Sequence, residues 1–405
     1  MTRAQAAAPA DGAAWFGWVL AGAFALSPLL GWLGPLGFAP IAALGGLLTL
    51  HGARIDDDQR PAVLAILVLV AWALLSMAWS PYAPKKIESS TGVKLIAQAV
   101  LYWSLFRAGA AASAQTRTTA LRILVWGMAA LGLVLAIEAA TGAALYQAVR
   151  TAINDPIRPD LAVRNVAQGG FVLALLTPAA AVASKRTGCG VWPIVLMVAG
   201  IAGASLSLAA DAPILALIVS ILIGFAVYRW PVIAPRALGG SVAALFLAAP
   251  GVVWLTLQLG WFAQIEASVS LSWSQRMGYW RHAADLIGDH PLRGWGLDAS
   301  RTFAPGIVLH PHDAALQIWL ELGLIGAMSA AVFWGVTLAG QSRPDRDAGR
   351  AAAAATAGAY LLFSAVSFGV WQEWWLALGG VAAAACMAVL RQPAWEKRPA
   401  GASTS

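Results

Sequence analysis

The chain has 405 residues, of which 60% are hydrophobic and only 11% are Asp, Glu, Lys or Arg. An average soluble domain carries about 25% charged residues, so this composition excludes an ordinary water-soluble protein, and lipid is the solvent that fits it. The net charge is +7, but the placement of the basic residues follows membrane topology and does not argue for a nucleic-acid partner.

The first residues, Met1 to Asp11, are small and polar, and an apolar run begins at Ala13. No small-residue cleavage site leading into a soluble domain follows it, so it is read as the first span rather than a removed signal peptide. A span needs about 20 apolar residues, with about 17 as a practical minimum. Segments that approach this are 14–33, 36–50, 61–79, 92–106, 121–141, 168–183, 191–209, 213–228, 237–259, 314–340, 351–369 and 374–390. The expectation is an all-α polytopic membrane protein of about twelve transmembrane helices, a single integral domain over 1–405.

Orientation follows from basic residues, which stay on the cytoplasmic side of short loops. With the N-terminus inside, the inner segments hold Arg3, Arg54, Arg60, Arg107, Arg117, Arg122, Lys185, Arg186, Arg229, Arg236, Arg343, Arg346, Arg350, Arg391, Lys397 and Arg398. Both termini are then cytoplasmic. Cys189 falls in an inner turn and Cys386 in the last span, so they are expected to remain unpaired and inert.

Lys85, Lys86 and Lys94 flank a short outer turn, and the remaining outer cations are all arginine. Arg150, Arg158 and Arg164 lie in an outer loop at 142–167, and Arg276, Arg281, Arg293 and Arg301 in a long outer loop at 260–313. Positive charge on that side works against the insertion bias, and guanidinium presents a planar fork suited to phosphate or carboxylate. The structural alternative is that these arginines pair with Asp155, Asp160, Glu266, Asp285, Asp289 and Asp298.

In the first outer loop, Pro156 and Pro159 favour extended chain. Arg164 and Asn165 sit just before the next span, where a helix N-terminus is an anion site, and Asn165 equally suits an N-cap. In the second, 274–287 reads as an amphipathic helix with Met277, Trp280, Ala284 and Ile287 on one face, Ser274 as its N-cap and Arg276 in its first turn. Turn chemistry follows at Pro291, Gly294 and Gly296. The loop ends at His310, His312 and Asp313, so that His312 stands at the start of the tenth span. Histidine ordinarily titrates near neutrality and suits proton transfer. His310, His312 and Asp313 also offer metal-type ligands, but i, i+2 positions at a helix start point apart and no further ligand is close, so no metal is expected.

Residues 276–326 resemble the O-antigen ligase and polymerase superfamily, whose members share a C-terminal Wzy-type domain. The resemblance is carried by Arg276, Tyr279 and Trp280, then His290-Pro291 and Gly294-Trp295-Gly296, then His312-Asp313, Leu316-Gln317 and Glu321-Leu322-Gly323. Arg164-Asn165 with Ala167 is also similar to the family's Asn-containing segment. Two departures stand out. Asp313 replaces the usual Asn, and Ala209-Ala210 stand where family ligases carry a Ser-Arg pair, leaving open which arginine replaces it.

The resemblance implies a GT-C-like membrane glycosyltransferase of the bacterial inner membrane, with its site on the periplasmic face and partly in loop 260–313. The donor would be a glycan on undecaprenyl pyrophosphate, bound by Arg276, Arg164, Arg158 and Asn165. The acceptor would be lipid A–core for a ligase or another glycan for a polymerase of O-antigen or exopolysaccharide. His312 and Arg276 would be catalytic, with Asp313, His310, Arg281 and Trp280 supporting; no metal or other cofactor is implied. The other class to weigh is a transporter. Against it, the inner connection at 184–190 is short, the spans hold few charges (Glu138 and Glu321) and no midplane coupling site is visible.

Overall fold

The computed structural model describes residues 10–208 and 210–393; Arg3, Ala209, Lys397 and Arg398 lie outside the described residues. Every regular element among the described residues is a helix. Apart from five short 3-10 turns, they are in chain order α1 (Ala10–Leu33), α2 (Phe38–Leu48), α3 (Arg60–Ser76), α4 (Thr91–Ala111), α5 (Ala114–Thr141), α6 (Ala144–Ala152), α7 (Pro159–Thr187) and α8 (Trp192–Ser207). Then follow α9 (Asp211–Arg229), α10 (Ile233–Gln258), α11 (Trp261–Ser268), α12 (Leu271–Asp289), α13 (Ala314–Ala339), α14 (Ala348–Val366) and α15 (Glu373–Arg391). Eight helices, α1, α3, α5, α7, α9, α10, α13 and α15, are long and apolar enough to cross a membrane by length and composition. Helices α2, α4, α8 and α14 occupy the other four expected spans but fall short of that measure.

These helices pack in two main groups. In the first, α5 lies along α1, α7 and α8, and α15 lies along α4 and α7. Their inward faces form one core through Phe24, Leu124, Met128, Leu135, Leu173, Leu176 and Trp375. Small residues permit close crossing, as in membrane helix pairs: a methyl on Gly200 would come within 2.5 Å of the Gly132 backbone. In the second group α13 contacts α3 and α10, and α12 contacts α10 and α13. Apolar side chains also cover the outside. Ile221, Leu222 and Phe225 on α9 are each more than 60% exposed, a surface that water would penalise and hydrocarbon accepts. The protein is a membrane protein.

The segments 142–167 and 260–313 contain more helix than the sequence suggests. Helix α7 begins at Pro159, with Arg158 as its N-cap, because proline already has the φ of a first helical residue and needs no N–H partner there. Asn165 is therefore inside the helix and is not its N-cap, and Pro159 starts a helix instead of holding the loop extended. Helix α12 begins at Leu271, with Ser270 at its N-cap position. Ser274 is not the cap, and Arg276 lies in the second turn, beyond the strongest part of the helix dipole. The expected apolar stripe does form: Met277, Ala283 and Ile287 are buried against Val253 of α10 and Leu316 and Leu320 of α13, with Trp280 and Ala284 beside them. Burying Met277 and Ile287 stabilises this docking by about 1.5–3 kcal/mol each.

Helix α13 is broken at Gly323 (φ 62°, ψ −158°), a backbone region essentially reserved for glycine. The turn after α12 docks into the break. Trp295 and Gly296 N–H donate to the Leu320 and Glu321 carbonyls, and Leu324 N–H donates to Pro291 O. Trp72 Nε1 on α3 donates to Leu322 O at 2.9 Å. The Pro291–Gly296 turn and the Leu322-Gly323 pair, separate in the sequence, are thus two sides of one joint. A methyl on Gly323 would meet the Leu292 carbonyl carbon at 2.5 Å. Gly323→Ala should destabilise the protein by about 1–3 kcal/mol, read as a lower thermal midpoint in detergent. Gly240→Ala, whose added methyl meets nothing within 4 Å, should leave the midpoint unchanged or slightly higher.

Candidate functional site

The site is assembled at the N-terminal end of α13. Asp313 caps that helix, its Oδ1 accepting the Leu316 N–H at 2.8 Å. Such a cap is worth about 0.5–2 kcal/mol, and an Asp serves it as well as an Asn. Desolvation nevertheless raises the Asp313 carboxyl to about 6, against the pull of the Leu316 and Ala315 N–H groups. The preceding His312 has a left-handed backbone (φ 59°), uncommon for a side chain with a Cβ. This turns its ring away from the helix axis and toward the α14–α15 connection.

His312 Nδ1 lies 2.8 Å from the Ser367 carbonyl oxygen. A carbonyl only accepts, so Nδ1 carries the hydrogen and Nε2 is left with a bare lone pair. Tyr279 of α12 stacks on the imidazole at 6.0 Å and 20°. Trp280 Nε1 donates to Pro311 O at 3.0 Å, pinning α12 to the His310–Asp313 segment. Burial is the main force holding the His312 pKa below its usual value; the Arg276 charge lowers it further, and the Ser367 hydrogen bond opposes both. The imidazole is neutral at pH 7.

Arg276 is on α12 with Trp273 and Trp280, positions that share a helix face. Its guanidinium lies over the Trp273 ring at 5.1 Å and has no ion pair or hydrogen bond among the described residues. Desolvation lowers its pKa, yet an arginine stays charged in any protein setting. A half-buried cation without a carboxylate partner among the described residues, close enough to lower the His312 pKa, is suited to meet an anion.

Behind His312 lies His310, 4% exposed. Its Nδ1 accepts the His312 N–H at 3.1 Å, the two rings are 4.2 Å apart, and its Nε2 faces the Gln372 side-chain amide at 3.2 Å. Burial, reinforced by His312 and Arg301, pushes the His310 imidazole down to about 3. Beneath the pair, the fully buried Glu321 accepts from Asp298 N, Ser300 Oγ, Gln317 Nε2 and Trp371 Nε1 at 2.7–3.1 Å. Gln317 Oε1 in turn accepts the Val370 N–H at 2.9 Å. These bonds hold the connection that carries Ser367 and Gln372 against α13. Ser367, Gln372, Gln317, Trp371 and the positioning work of Glu321 were missed by sequence reasoning. The signal within reach was a carboxylate in an apolar span four residues after a glutamine, a spacing that puts both on one helix face.

The arginines divide. Arg150 pairs with Asp155, Arg158 with Asp160, Arg281 with Glu266 and Arg301 with Asp298, the structural alternative open to each. Arg293 lies over Trp79 at 5.8 Å. Arg164 is exposed and, like Arg276, has no ion pair or hydrogen bond among the described residues. Asn165 donates to the Tyr146 hydroxyl at 3.3 Å, and Glu138 accepts the Tyr146 N–H. Arg276, Tyr279, Trp280, His310, His312 and Asp313 therefore form one cluster. Arg158, Arg164 and Asn165 belong to the α6–α7 region; among the described residues no hydrogen bond, ion pair or ring contact joins it to that cluster.

Residues 193–331 match the family model described as O-Antigen ligase, a stretch that contains Arg276 and His312. The resemblance to the O-antigen ligase superfamily stands. A putative polysaccharide ligase of Rickettsia conorii is 28% identical over 120 residues, 26% of this chain and 29% of that protein. A putative polysaccharide ligase of Rickettsia prowazekii is 28% identical over 137 residues, 30% of this chain and 33% of that protein. The chain spans about a third of the length of the curated relatives it matches. No solved structure matches.

Replacing Arg276 by Gln removes a positive charge that holds the His312 pKa down. The imidazole should then protonate at a higher pH than in the native protein. A histidine NMR titration in nanodiscs checks this, and an unchanged His312 midpoint would contradict the coupling.

Proposed function

We propose that the protein transfers a glycan from undecaprenyl pyrophosphate to a sugar hydroxyl, with lipid A–core as the acceptor, at the periplasmic face of the bacterial inner membrane. The observation that carries this reading is the His312 imidazole, with its bare Nε2, beside an Arg276 that no carboxylate among the described residues neutralises. In this proposal Nε2 takes the proton of the acceptor hydroxyl as its oxygen attacks the anomeric carbon. The bond from that carbon to the pyrophosphate oxygen breaks, and the lipid pyrophosphate leaves with one more negative charge. Arg276 answers that charge where fixed positive charge helps most, in the transition state. Arg164, also without an acidic partner among the described residues, is the second donor-binding arginine. Arg158 and Asn165 border it, although Arg158 must exchange Asp160 for the donor. Asp313, His310 and Trp280 hold His312 in place, while Arg281 fastens α11 to α12 through Glu266.

The twelve helices cross the bilayer in a GT-C-like arrangement with both termini cytoplasmic. This supports placing the site outside, because Arg54, Arg107, Arg186 and Arg229 then share the inner face with most other basic residues. A polymerase of lipid-linked repeat units is the second reading, favoured by Ala210 at the position where family ligases carry arginine.

His312→Ala should lower transfer by about 10²–10⁴-fold, the usual worth of a positioned base, and Arg276→Ala by about 10²–10³-fold, as for loss of a transition-state charge partner. Both proteins should remain inserted and abundant. Arg164→Ala should weaken transfer as well. The assay is surface-polysaccharide banding in a strain lacking the native copy. Loss of long lipopolysaccharide bands with accumulation of lipid-linked polymer identifies a ligase; a single-repeat band identifies a polymerase. Full activity in both His312→Ala and Arg276→Ala rules out the site.

A further inference from the structure

The hydrogen bonds around His310 fix more than its position. Its Nδ1 accepts the His312 backbone N–H at 3.1 Å, so that nitrogen carries no hydrogen. A neutral imidazole has one N–H, which must therefore be on Nε2. At 3.2 Å from Nε2 lies the side-chain nitrogen of Gln372, itself a donor, while the buried Gln372 Oε1 has no hydrogen-bond partner. A half-turn of the Gln372 amide exchanges its oxygen and nitrogen. The orphaned oxygen then accepts the Nε2 hydrogen, and the donor–donor clash at His310 is removed.

We propose that His310 is a positioning residue for His312, locked by Gln372 as the neutral Nε2–H tautomer so that its Nδ1 lone pair holds the His312 backbone in its left-handed conformation. That conformation directs the His312 ring at Ser367 O and leaves Nε2 of His312 bare. Protonating His310 would turn its Nδ1 into a donor facing another donor and release the backbone. The site excludes that proton. Gly369 packs so closely that an added methyl would lie 2.8 Å from the His310 ring, and Arg301 and His312 both oppose a charge there. Arg276 and Tyr279 of α12 face His312, and Asp313 follows it in the chain. Among the described residues no carboxylate forms an ion pair with His310. The assignment rests on the base role given to His312 in the proposed function, and the tests separate the two.

The first test needs no activity. In the full protein, ¹⁵N-histidine labelled and reconstituted in nanodiscs, His310 should show the neutral Nε2–H pattern from pH 8 down to pH 5.5. A protonated His310 at pH 6, or the Nδ1–H tautomer, overturns the proposal. The second test uses conservative exchange. An asparagine places an amide oxygen where Nδ1 stood, whereas a glutamine reaches the Nε2 position instead. His310→Asn should keep transfer within about threefold, and His310→Gln should lose about 10²-fold, the cost of an ångström-scale misplacement. Equal activity in the two variants overturns the proposal, and if His312→Ala is inactive the base role survives that failure. The third test is a pH profile. Gln372→Glu supplies a carboxylate that favours protonation of His310, so transfer should fall with acidification at a higher pH than in the native protein. A native profile in Gln372→Glu overturns the lock.

Discussion

A carboxylate sealed in an apolar interior is tolerated only when donors surround it. Glu321 meets that demand with four of them, drawn from three parts of the chain: Asp298 N and Ser300 Oγ after the turn, Gln317 Nε2 on its own helix, and Trp371 Nε1 from the α14–α15 connection. Removing any donor leaves part of a buried carboxyl group unsatisfied, which is costlier than an ordinary hydrogen bond is favourable. The arrangement is therefore close to all-or-none. It joins the turn after α12, the broken α13 and the segment that presents Ser367 and Gln372. The helix break at Gly323 belongs to the same joint, since the turn enters only where the regular helical ladder has been opened.

On that joint rests a relay of fixed lone pairs. The Ser367 carbonyl sets the tautomer of His312, and the His310 imidazole sets the backbone of His312. The α12 helix closes the other side with Tyr279, Trp280 and Arg276. The Ser367 carbonyl can only accept, and this fixes the hydrogen on Nδ1 of His312. This gives the imidazole one available nitrogen and favours its neutral form. Arg276 contributes from α12, an amphipathic helix held by apolar packing, so the cation and the base belong to different elements brought together by burial of Met277 and Ile287.

Glu138 performs a similar service for the α6–α7 region. It is buried, it accepts Trp32 Nε1 and the Leu145 and Tyr146 N–H groups, and through Tyr146 it orders Asn165 and Arg150. The two glutamates that looked like isolated charges in apolar spans are thus both structural acceptors, each fastening a segment between spans to the helix beneath it.

Composition and apolar run length were enough to read the helical class and the membrane solvent, because twenty-residue apolar segments have no stable alternative in water. The period of Met277, Trp280, Ala284 and Ile287 was enough to read α12, since one face of a helix must bury itself somewhere. The spacing around His312 was enough to place an imidazole at a helix start. Helix starts were misread at Asn165 and Ser274, because Pro159 and Ser270 offered earlier starts whose choice depends on what the added turns pack against. The pairing of Arg150, Arg158, Arg281 and Arg301 with acids, and the isolation of Arg164 and Arg276, depend on distances between side chains that charge counting does not contain. The tautomer of His312 is set by a carbonyl 55 residues away, and only the folded chain brings that oxygen to the ring.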